Sequence, residues 1–152
     1  MNYEKINKPI RYKTLWLSTV DAVASSDRKK FTFNNLPIIQ IRGKSFLKIN
    51  SITLSGAGIA SAPNNNWEIK LSNVKFNGTC YFNSDKNSIP TIACINYDTN
   101  NSVQNGKFSL ELTHQDITQP VIHITADNGD GAVKSGNNID FHIGLCIEEY
   151  DE

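Results

Sequence analysis

The chain has 152 residues and a mass of 16.9 kDa, the size of one domain whose core can stand without disulfide or metal staples. Fifteen Lys and Arg balance fifteen Asp and Glu, so the formal net charge is zero, and the residue order holds no basic patch; both argue against a phosphate-neutralising nucleic-acid binder. Nineteen Asn, more than all Lys and Arg together, mark a loop-rich chain, because Asn favours turns and tolerates left-handed backbone.

Residues 1–11 are polar apart from Tyr3, Ile6 and Ile10 and contain Pro9, which predicts an extended N-terminal arm ahead of a single domain over residues 12–150. No apolar run precedes Leu15, so a secretory signal is not expected, and no apolar stretch is long enough for a membrane-spanning helix. Residues 13–20, rich in Leu, Trp, Thr and Val, read as a strand, and residues 20–26 are the best short helical candidate. Phe31 and Phe33 share one side of a strand over residues 30–34. Residues 38–41 and 45–54 read as two strands or one bent strand, broken at Arg42-Gly43-Lys44.

The dominant pattern from there on is alternation, which sends successive side chains to opposite faces of a sheet. Trp67, Ile69 and Leu71 alternate with Glu68, Lys70 and Ser72. Residues 79–82 and 91–97 are weaker strand candidates. Phe108, Leu110 and Leu112 oppose Ser109, Glu111 and Thr113; a single helical turn is expected at residues 116–119. Ile122, Ile124 and Ala126 oppose Val121, His123 and Thr125. The clearest run is the last, Ile139, Phe141, Ile143, Leu145 and Ile147 against Asp140, His142, Gly144, Cys146 and Glu148. Turn clusters rich in Gly, Asn and Asp separate these runs at residues 55–58, 63–66, 83–87, 98–106 and 127–138. One apolar and one polar face per strand, with turns every ten residues or so, predicts an all-β antiparallel sandwich or barrel.

No catalytic signature accompanies this pattern. His114, His123 and His142 all fall on expected strands but lack the close pairing that makes a metal site readable, so solvent-facing or interface histidines are expected. Cys80, Cys94 and Cys146 form no CxxC pair and read as buried thiols of a reducing compartment; nothing beside Cys146 activates it as a nucleophile. GxSxG, GxxxxGK[ST] and HExxH motifs are absent. Asp127-Asn128-Gly129-Asp130-Gly131 resembles a calcium loop only in part: Gly129 replaces the required Asp or Asn and no later Glu follows, which favours a plain turn. No cofactor, metal or catalytic residue is therefore expected. Trp67 is in phase with Ile69 and Leu71 and belongs in the core. Trp16 is out of phase with Leu15 and Leu17 and belongs on the surface.

The order of these segments carries a resemblance. It comprises Thr14-Leu15-Trp16-Leu17, then Phe31 to Pro37 followed by Ile38 to Ile41, then Trp67 to Leu71, Phe108 to Thr113 with an Ile117-Thr118 corner, and the closing run from Ile139 to Glu149. This order resembles the small single jelly-roll structural proteins of large icosahedral DNA viruses, the penton and related minor capsid proteins. The likeness rests on strand order and texture over roughly residues 12–150, and an Asn-rich composition suits an AT-biased genome. It implies an eight-stranded jelly roll with additional N-terminal strands and no enzymatic activity. The implied protein is a virion component made in the host cytoplasm. It forms a homo-oligomer, a pentamer by the family's habit, and contacts major and minor capsid proteins. Tyr3, Ile10, Tyr12 and Trp16 are the expected partner contacts, since large aromatics dominate contact energy. The alternative is a lectin-like or receptor-binding sandwich; a cupin-like enzyme is disfavoured by the missing His pair.

Overall fold

In a computed structural model, residues 8–25, 30–55, 66–78, 89–98, 101–107, 109–127 and 140–150 are described. These residues form thirteen strands, introduced here in chain order. The first half of the chain supplies β1 (Pro9–Ser18), β2 (Val23–Ala24), β3 (Lys30–Thr32), β4 (Ile39–Ile41), β5 (Lys44–Ser55) and β6 (Asn66–Ser72). The second half supplies β7 (Phe76–Asn77), β8 (Thr91–Asp98), β9 (Asn101–Lys107), β10 (Leu110–Leu112), β11 (Gln115–Ile117), β12 (Val121–Asp127) and β13 (Asp140–Tyr150). No α-helix occurs among the described residues; a 3-10 turn at Thr19–Asp21 stands where a short helix is expected, and β2 follows it.

Two antiparallel sheets face each other. One has the order β1-β13-β5-β10-β7, the other β2-β3-β12-β6-β8-β9. Eight strands carry the plan: β1, β13, β5 and β10 in one sheet, β3, β12, β6 and β8 in the other. Taken in chain order these are strands one, eight, three and six against two, seven, four and five, the interleaving of a jelly roll. The protein is thus an all-β antiparallel sandwich, and the strands beyond the eight, β2, β4, β7, β9 and β11, are spread along the chain and not gathered at its N-terminal end as expected. Among the described residues β4 and β11 pair only with each other, and Arg42 ties that ribbon together by bonding the Gln115 carbonyl and the Asp116 carboxylate.

Alternation fills the space between the sheets. Phe141 and Ile143 of β13, Trp67, Ile69 and Leu71 of β6, Ile122 and Ile124 of β12, and Leu110 and Leu112 of β10 are all buried in one cluster. Phe141 meets Phe31 of the opposite sheet edge-on, with centroids 4.9 Å apart, and Phe33 at 6.3 Å. Two expected core residues, Phe108 and Ile139, lie outside the described residues. So do Tyr3, Cys80, the expected strand at residues 79–82 and residues 128–131 of the calcium-like loop.

Bulges correct the phase where the sequence breaks it. In β5 the buried residues run Leu47, Ile49, then Ile52 and Leu54. Gly144 pairs with Ser51 and Leu145 with Ile49, so Asn50 is the extra residue that turns the strand by one position. Without it Ile52 and Leu54 would point outward. Residues 38–54 are therefore two strands, β4 and β5, the second of them bulged.

Three further expectations are revised. β1 opens at Pro9, not at residue 13, because Pro9 and Arg11 already pair with Tyr150 and Glu149. Residues 115–117, expected near a single helical turn, are extended and pair with β4. Residues 101–107, read as part of a turn cluster, form β9 and pair with β8.

Candidate docking face

The outer face of the β1 sheet is built by register. Across β1, β13 and β5 the rows read Ser18–His142–Thr53, Trp16–Gly144–Ser51, Thr14–Cys146–Lys48, Tyr12–Glu148–Phe46 and Pro9–Tyr150–Lys44. Partners across a row point to the same side of the sheet, so four aromatic side chains, Tyr12, Trp16, Phe46 and Tyr150, share this face.

Trp16 and Tyr12 are 65% and 62% exposed, and Ile10, at the β1 bulge, is 53% exposed. All three expected contact residues that fall within the described residues are thus on the surface of one strand. Trp16 is held in place by its neighbour. A Cβ on Gly144 would come within 2.9 Å of Trp16 Cζ3 and of Ser51 Oγ. The indole therefore lies on the bare backbone of Gly144, a cross-strand pairing in which an aromatic covers a glycine. Its position is fixed while its far side stays open to solvent.

A polar knot stiffens the other end. Lys48 Nζ sits 2.8 Å from Glu148 Oε2, and the Tyr150 hydroxyl donates to the same oxygen at 2.9 Å. The Lys48 bond, with that of Tyr150, holds the Glu148 carboxyl below its ordinary range, against the opposing effect of burial. The bond to Glu148 likewise raises Lys48 and Tyr150. Tyr150 packs edge-on against Phe46 at 5.6 Å, and Lys44 Nζ lies 5.9 Å from the Phe46 ring centre. Cys146, buried between these rows, has its thiol pushed up chiefly by burial and next by the Glu148 charge. It is a packed thiol, not an activated one.

β1 is also an edge. Among the described residues it is the outermost strand of its sheet, paired only with β13. The groups along its free side are available to a further strand, the usual liability of a long edge.

The histidines are dispersed. His142 is exposed on the docking face beside Ser18 and Thr53. His114 lies in the turn between β10 and β11, not on a strand, and is exposed. It lines an open cleft of about 410 Å³ with Lys44, Asn77, Glu111 and Thr113. His123 departs from the expectation of a solvent-facing or interface residue, being buried within the single chain. It is buried on the outer face of the second sheet, with Nε2 2.7 Å from Ser72 Oγ. Glu68 and Lys70 on the same face are buried too, 3.4 Å apart. Thr91 pairs with Lys70 in the register, and its buried Oγ1 has no hydrogen-bond partner among the described residues. Glu68 and Lys70 of the polar half of β6 are therefore enclosed, with Ser72 half-buried, which alternation alone cannot reveal.

Among the described residues no three His, Cys, Asp or Glu side chains gather as a metal set, and no helix is long and apolar enough to cross a membrane. Fold and surface together define a jelly-roll sandwich with an aromatic edge strand. No family model, curated protein or solved structure matches the chain.

Proposed function

We propose that the chain is a non-catalytic structural protein of a viral capsid, a penton or minor component that contacts itself and neighbouring capsid proteins through the outer face of β1. The observation that carries this reading is the exposed row of Tyr12 and Trp16, with Ile10, on an edge strand. Exposed aromatics on a rigid sheet are the residues that dominate protein–protein contacts. The jelly-roll strand order supports the same reading, since capsid shells use this architecture, although fold alone does not choose among capsid, lectin and cupin roles. The pentameric state implied by the family resemblance belongs to this proposal.

A lectin-like module is the second reading. It is favoured by one observation, the indole of Trp16 seated on Gly144 with its other side open, a platform on which a sugar ring can stack. The two readings separate by experiment. Cryo-electron microscopy and mass spectrometry of purified particles should place the chain in the shell with β1 against a neighbour. Absence from particles, together with saturable glycan binding that Trp16→Ala abolishes, would replace the capsid reading with the lectin.

A further inference from the structure

The edge strand has a property that selects one partner. Lys8 lies just before its start, and acidic residues lie beyond its end, Asp21 and the first residue of β13, Asp140; Arg11 pairs in register with Glu149 of β13 and Lys13 Nζ donates to the Gln40 carbonyl, so those two are engaged within the chain. Thr19 Oγ1 donates to Asp140 Oδ1 at 3.0 Å, which fixes that acidic group beside the end of β1. Lys8, Arg11, Asp21 and Asp140 are all exposed. The aromatic pattern has the same two-sidedness: Tyr12 and Trp16 stand equally far on either side of Thr14, and all three are exposed on the outer face.

We infer that a second copy of this chain adds its own β1 antiparallel to this one, about a two-fold axis through Thr14. This inference rests on the docking reading and specifies its partner. A strand pair of this kind joins the two five-stranded sheets edge to edge. In this register Thr14 faces Thr14, and Tyr12 of each copy faces Trp16 of the other, giving two aromatic cross-strand pairs. Just beyond the paired stretch, Lys8 of each copy comes level with Val20 and next to Asp21 of the other, twice. The parallel arrangement puts Lys8 beside Lys8 and Asp21 beside Asp21. Shifting the antiparallel register by two residues toward Trp16 sets Tyr12 against Ser18 and loses both aromatic pairs. Registers shifted by one residue put outward side chains beside inward ones and turn the two sheets' outer faces to opposite sides. Pro9 and the bulge at Ile10 end the pairing at its near side, since both interrupt a ladder. The contact is isologous and stops at two copies. It links two capsomers and does not close a five-membered ring, which needs a different contact.

Oxidative cross-linking tests the register. Thr14→Cys is made in a chain whose Cys80, Cys94 and Cys146 are Ser, because Cys146 faces Thr14 across β13. Directly opposed strand residues lie within disulfide reach, about 4.5–5.5 Å between Cα atoms. Under oxidised glutathione Thr14→Cys should convert to a covalent dimer, while Thr53→Cys, exposed on the same face but on β5, stays monomeric. Raising the salt concentration should slow the Thr14→Cys reaction several-fold. Equal cross-linking of both variants would overturn the inference. So would a Thr14→Cys chain that stays uncross-linked while light scattering finds the wild type associated; the docking reading then stands with another partner geometry. Amide exchange on the wild-type chain provides a check without substitution. Protection across residues 11–17 should rise with protein concentration, and unchanged exchange in associated protein would count against the two-fold pair.

Discussion

Phe141→Ala is the sharpest perturbation of the sandwich. Its ring, on the second residue of β13, is fully buried and meets Phe31 and Phe33 across the sandwich. Removing a buried phenyl group costs about 3–5 kcal/mol, the range reflecting how far the site collapses. Here collapse is limited on both sides. β13 is hydrogen-bonded to β1 and to β5, and Phe31 sits in a strand paired with β12. Loss of the edge-on ring contacts adds to the cost, since such pairs contribute about 0.5–1.5 kcal/mol beyond area. The upper half of the range, about 4–5 kcal/mol, is therefore expected. That is a large share of the roughly 5–15 kcal/mol by which domains are stable. Urea titration followed by tryptophan fluorescence measures it. With a slope of about 1–3 kcal/mol/M the midpoint should fall by roughly 1.3–5 M at unchanged slope. A loss under about 1 kcal/mol would refute the placement of Phe141 between the sheets, and with it the alternation argument for β13.

Gly144→Ala should leave stability within about 1 kcal/mol, because the Trp16 ring can swing away toward solvent. It should nevertheless weaken self-association as strongly as removing the ring, measured by sedimentation; unchanged association would show that the seat of Trp16 is irrelevant. Glu148 is held below its usual value of 4.5 by Lys48, so the stability it adds is complete above that pH and is lost as pH falls through the lowered value. Glu148→Gln should therefore flatten the acid limb of stability against pH, by less than about 1 kcal/mol for a partly exposed pair. An acid limb identical to wild type would contradict the pairing. Cys146, in a chain with Cys80→Ser and Cys94→Ser, should react with iodoacetamide at neutral pH far more slowly folded than in urea, because burial disfavours the thiolate. Equal rates would place the thiol on the surface.

The two sheets were legible wherever a strand has one apolar face and enough length to show it. Trp67, Ile69 and Leu71, or Phe141 through Ile147, announce their inward side within a few residues. Trp16 was legible for the complementary reason, being out of phase with its apolar neighbours. β9 was not, because Asn101–Lys107 carries Asn and Gly in place of an apolar stripe and is a strand by pairing with β8. β11 is too short for any period to appear, and β4 supplies what holds it extended. The bulge at Asn50 shows only as a phase break that either a loop or an extra residue could cause. The enclosed row of Glu68, Lys70 and His123 was the largest surprise on the candidate sites. Local alternation distinguishes two faces but does not say whether the polar one meets water, which is a property of the assembled fold.

Sedimentation velocity of the wild-type chain beside Tyr12→Ala/Trp16→Ala tests the central claim most directly. Both side chains are exposed in the single chain, so the variant keeps its core and should unfold at nearly the wild-type urea concentration. The wild type should sediment as a species heavier than the 16.9 kDa chain at micromolar concentration, and the variant as the single chain. A wild type that remains a single chain at every concentration and with capsid proteins present, or a variant that assembles as well as wild type, would contradict it.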